Sequence, residues 1–145
     1  MNGVSSWLAS LLPGGRTLHA VIECCNRAER FRKEGSLTEA LAAGREGLSL
    51  RRTVPPPPSG RPADVTALVS LTVLVEELAT ELGTEGADER DVVESVTMLR
   101  NWQDTLMRFP DLATRESQMV GQTRQRWTVY LEERLEARRR TTRCS

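Results

Sequence analysis

The chain has 145 residues, 20 basic and 20 acidic side chains, one histidine, and 39% hydrophobic but only 4% aromatic residues. That length fits one domain able to bury about two-thirds of its unfolded surface, and the Leu, Val and Ala content favours helix packing over sheets. A single histidine argues against Cys–His or Ser–His catalysis, three cysteines argue against a disulfide framework, and no apolar run nears the roughly 18 residues that span a bilayer.

In chain order, Val4, Trp7, Leu8, Leu11 and Leu12 recur at helical spacing, and the Pro13–Gly15 run stops the pattern. This stretch has no basic n-region, so it is not read as a secretory signal. Without a basic residue before Arg16 it is a poor membrane anchor, and it is expected to pack on protein. A second stripe runs through Leu18, Val21, Ile22, Cys25, Ala28 and Phe31. Gly35-Ser36 ends that helix and is expected to cap the next, which carries Leu37, Ala40, Leu41, Gly44, Gly47 and Leu48. These small residues predict a close helix–helix approach.

The four consecutive prolines at 55–58 read as an extended spacer. Val65, Leu68, Val69, Thr72, Val75, Leu78, Ala79 and Leu82 then form the most hydrophobic helix, closed by Gly83. Asp88 is the expected N-cap of a helix carrying Val92, Val93, Val96, Leu99, Trp102, Leu106 and Phe109, closed by Pro110. A last helix is expected from near Thr114, with Met119, Trp127, Tyr130, Leu131 and Leu135 as its apolar set. The sequence therefore predicts an all-α chain of antiparallel helical hairpins, arranged as a repeat-like stack or an irregular helical bundle of five to six helices. A short N-terminal helix (1–15) precedes a single helical domain (16–140) with an internal proline-rich linker (53–63), and a tail (141–145) follows.

Net charge is zero but unevenly spread. Residues 1–63 carry nine basic and five acidic groups, 64–111 three and eleven, and 112–145 eight and four. An acidic middle between basic flanks predicts that the segments complement one another within the fold.

Residues 24–50 resemble a tetratricopeptide repeat, a helix–turn–helix unit of about 34 residues. Ala28, Phe31, Gly35, Ala40 and Gly47 fall where that family places its small residues, an aromatic and the turn, whereas Gly44 and Arg52 depart from the pattern. The rest of the chain spaces its first helices near 50 residues apart, from Thr17 to Asp64 to Thr114. The resemblance implies a helical stack that binds peptides or partner proteins.

The expected function is a non-catalytic protein–protein interaction module in the cytoplasm, without cofactor, metal or small-molecule substrate. Its partner is a protein or a second copy. The expected contact residues are Trp7, Leu8, Leu11 and Leu12 on the N-terminal helix, and Ala40, Gly44 and Gly47 along the small-residue groove. The alternative is nucleic-acid association through Arg124, Arg134, Arg138, Arg139, Arg140 and Arg143, although interleaved glutamates weaken that stripe. His19 and Glu23 share a helix face but make too few ligands for zinc. The acid pairs Glu76-Glu77 and Glu132-Glu133 read as solvated helix faces.

Overall fold

The computed structural model describes residues 15–53 and 62–144, and among these the chain is all-α, with six helices and no strand. They are α1 (Gly15–Lys33), α2 (Leu37–Arg51), α3 (Pro62–Leu82), α4 (Glu89–Arg108), α5 (Pro110–Arg115) and α6 (Gln118–Cys144). The expected N-terminal helix and most of the proline-rich linker lie outside the described residues.

Two helix ends use the same chemistry. Gly35 and Gly83 adopt φ of 82° and 68°, in the left-handed region that costs other residues about 1–2 kcal/mol. Each turns the chain so that the next amide reaches back five residues, Ser36 N–H to the Phe31 carbonyl and Thr84 N–H to the Ala79 carbonyl, both at 2.9 Å. Asp88 caps α4 as expected, its carboxylate accepting from the Arg90 N–H at 3.0 Å. Ser36 stands at the start of α2 but its hydroxyl makes no capping bond.

The C-terminal half departs from expectation at one corner. Pro110 does not merely end α4; it opens the extra helix α5, because a first-turn proline gives up an N–H that has no intrahelical partner anyway. The last long helix therefore starts at Gln118, where the Ser117 hydroxyl accepts from the Val120 N–H at 3.2 Å.

Helix α3 is the centre. Its side chains at Leu68, Val69, Leu71, Thr72, Val73, Leu74, Val75, Glu76, Leu78 and Ala79 are all buried, so it is covered all round, as an apolar helix should be. Complete burial of Leu78 alone is worth about 1.5–3 kcal/mol. Helices α1 and α2 form the tightest hairpin and both pack on α3, α4 pairs with α3, and α6 lies along α4 and touches α3. The register is readable from the contacts. Cys25 meets Ser70 and Arg32 meets Glu77, so α1 runs parallel to α3. Thr72 meets Ser95, and Glu76 meets Ala87, so α4 runs back along α3. Arg100 meets Glu132 and Glu89 meets Arg139, so α6 runs back along α4. The starts of α1, α3 and α6 thus share one end of the molecule with the close of α4.

Candidate interaction surface

Two acids of the middle segment, Glu76 and Asp91, are buried, each paired with arginines from other helices. Arg51, on the last turn of α2, is fully buried, and burial pushes its guanidinium below the ordinary arginine range while Asp91 opposes that shift. Its Nη1 donates to the Leu68 carbonyl at 2.9 Å, the Thr72 hydroxyl at 2.6 Å and the Ser95 hydroxyl at 3.2 Å. Its Nη2 lies 3.3 Å from Asp91 Oδ1. Arg52 closes over the same carboxylate from the half-exposed side, with Nη2 donating to Asp91 Oδ2 at 2.7 Å. One polar cluster therefore ties α2, α3 and α4 together.

Glu76, one turn along the same face of α3 from Thr72, forms a second cluster. Arg134 Nε donates to it at 2.9 Å, Arg138 Nη2 pairs with the other oxygen, and the Ala87 N–H donates at 2.8 Å. This joins α3, the 83–88 loop and α6. A β-carbon at Gly86 would stand 2.5 Å from Glu76 Oε1, so the loop lies directly on the pair. Glu76 is thus not on a solvated face, and its neighbour Glu77 sits 3.6 Å from Arg32. The second acid pair also has a partner, since Glu132 accepts from Arg100 at 2.8 Å. Acidic middle and basic flanks do meet inside the fold.

The expected contact residues divide three ways. Trp7, Leu8, Leu11 and Leu12 lie outside the described residues. Ala40, Gly44 and Gly47 are buried, and this corrects the expectation of an open groove. A β-carbon at Gly44 would stand 2.7 Å from Val75 Cγ2, and one at Gly47 would stand 2.8 Å from Leu71 Cδ2 and 3.0 Å from Cys24 Cβ. What the small residues admit is α3 on one side and α1 on the other. Of the arginines, Arg124 is buried, paired with Glu116 at 2.9 Å and with Gln103, and lies 5.5 Å over the Trp102 ring. Arg134 and Arg138 hold Glu76, and Arg139 faces Glu89 at 3.7 Å. Arg140 is exposed, and the side chain of Arg143 lies outside the described residues. The positive stripe is therefore largely an internal fastening.

An apolar end was missed by periodicity. Among the described residues seven large hydrophobic side chains are exposed, and five of them fall between positions 107 and 120. They are Met107 (71% exposed), Phe109 (57%), Leu112, Met119 (76%) and Val120. Helical spacing assigns Phe109 and Met119 to the core, yet both face outward, because the turn through Pro110 carries them past it. Helix α5 buries no residue at all. All five lie on the segment that closes α4, forms α5 and opens α6, and exposed apolar surface of this kind marks a contact site when it is contiguous.

Other chemistry is sparse. Burial pushes the Cys25 thiol above its ordinary range, beside the Ser70 hydroxyl at 3.6 Å, which makes it a poor nucleophile. Among the described residues no group of three or more His, Cys, Asp or Glu side chains could hold a metal ion, and no helix is long and apolar enough to cross a membrane. No family model, curated protein or solved structure matches the chain.

Proposed function

We propose that the protein is a non-catalytic, helical protein–protein interaction module that receives an amphipathic helix on the apolar end made by Met107, Phe109, Leu112, Met119 and Val120. The observation that carries this reading is the exposure of those five side chains together. Two are methionines, whose flexible, polarisable side chains adapt to varied apolar partners, and helix-in-groove contacts are anchored by such residues. The repeat-like α1–α2 hairpin fits a scaffolding role, with α3 stacked on both of its helices. The nucleic-acid alternative has less behind it, because Arg124, Arg134 and Arg138 already have carboxylate partners.

The test is a purified titration. A protein captured at high salt, where apolar contacts persist and exposed ion pairs are screened, is purified and titrated against the native chain and a Met107→Asp/Leu112→Asp variant. The expected loss is about 2–3 kcal/mol, roughly 30- to 150-fold in affinity, with thermal unfolding unchanged. Equal affinity for both chains sinks the assignment of this surface.

A further inference from the structure

We infer, resting on the reading of the apolar end as a contact surface, that its occupant is a second copy of this chain. Residues 104–115 of one copy lie antiparallel on residues 104–115 of the other, about a two-fold axis. The stretch is accessible for such a contact, since every residue from 107 to 115 is exposed. Pro62 comes level with Thr105, so the stretch also projects past the start of α3.

Its charges are self-complementary. Asp104, Arg108, Asp111 and Arg115 alternate in sign, and no other charged residue falls between 104 and 115. Among the described residues their side chains make no ion pair or hydrogen bond. The nearest charges on either side are paired within the chain, Arg100 with Glu132 at 2.8 Å and Glu116 with Arg124 at 2.9 Å. In a two-fold contact residue i meets residue j, and j meets i. Four alternating charges reversed on themselves set opposite signs together at every level, Asp104 opposite Arg115 and Arg108 opposite Asp111. The same row laid parallel and in register would set like on like. The apolar residues share the same centre. Met107 falls opposite Leu112 and Phe109 opposite Pro110, which puts the axis at the corner between α4 and α5.

Helix α5 gains the packing it lacks. A six-residue helix is well below the length that persists alone in water, and α5 buries no residue. In the dimer the last turn of α4 from the second copy lies on it, and symmetry makes that contact twice. Residues 104–115 are twelve a side, fewer than the roughly 20–30 of a standard interface, so the dimer is a weak one, dissociating at about 10 μM to 1 mM.

The experiment is sedimentation equilibrium of the full chain from about 1 μM to 1 mM, where the mass should rise from one chain toward two. Arg108→Asp or Asp111→Arg alone sets like charges together at both symmetric positions, and each variant should dimerise at least roughly tenfold more weakly. Mixed in equal amounts, the two variants restore both opposite-sign pairs, and the mixture should move back to the native curve. Mixing leaves any change of helix stability within either chain as it was, so recovery reports on the contact alone. A native chain that stays monomeric throughout overturns the inference. So does a dimer that either variant keeps, or a mixture no heavier than its components. Each of these failures leaves the contact-surface reading standing, because a different protein can still occupy that end. That reading fails only in the titration.

Discussion

Within α4 the early turns carry Asp91 and Ser95, both completely buried, whereas the last turn and the residue after it carry Met107 and Phe109, both mostly exposed. The polarity of the side chains would assign the opposite. Register explains the inversion. Thr72 of α3 faces Ser95 of α4, and the two helices run in opposite directions, so Pro62 comes level with Thr105. Met107 and Phe109 therefore lie beyond the first residue of α3, while Asp91 and Ser95 lie beside its middle and meet the end of α2 as well. Burial here depends on which helices reach a level, and the chain puts hydrogen-bonding charge where three helices meet.

The sharpest way to break this comparison is Asp91→Ala. It leaves the Arg51 guanidinium buried without its carboxylate, and breaking such a pair costs about 3–5 kcal/mol. Typical total stabilities are about 5–15 kcal/mol, so the variant should sit close to unfolding. Met119→Ser, at the exposed end, should stay within about 0.5 kcal/mol of the native chain. Urea unfolding followed by tryptophan fluorescence measures both. A small loss in the first, or a large one in the second, would reverse the assignment of interior and surface.

A second variant probes the tight seam on α2. Gly44→Ala places a methyl 2.7 Å from Val75 Cγ2, an overpacking cost of about 1–3 kcal/mol. Alanine recovers up to about 1 kcal/mol in helix propensity, so the net loss should be roughly 1–2 kcal/mol. Adding Val75→Ala removes the clashing methyl, and the double variant should show favourable coupling in a thermodynamic cycle. Strict additivity would mean that the two positions do not touch.

Much of the fold was legible in the sequence, because the periodic stripes from Val21 to Leu82 and from Val92 to Leu106 needed no knowledge of what they pack against. The glycine ends at Gly35 and Gly83 and the Asp88 cap were legible for a local reason: a single residue decides each. The charged clusters were not. Asp91 and Arg51 stand 40 positions apart and meet only because α2, α3 and α4 converge, which periodicity does not encode. Thr72, within an otherwise apolar stripe, was the available hint that polar groups converge there. The apolar end was hidden for a related reason. Phe109 and Met119 continue the helical spacing, but Pro110 starts a new helix between them, so each leaves the face its spacing implied.

The smallest expected effect separates the two acids that share Arg52. Asp88 lies 3.7 Å from its Nη2 and Asp91 2.7 Å, but Asp88 is exposed and Asp91 is not. The Arg90 N–H donates to Asp88 and, with weaker help from Arg52, holds its carboxyl below the ordinary value of 3.8. A carboxyl lowered on folding stabilises the fold above its ordinary value, and that stability is lost as pH falls through the lowered one. Asp88→Asn keeps an oxygen that can cap the helix but cannot titrate. The gap between native and variant urea midpoints should therefore be constant near neutral pH and shrink in acid, below the ordinary aspartate range. A gap that does not change with pH would mean that Asp88 acts through its shape as a cap, with no contribution from its charge.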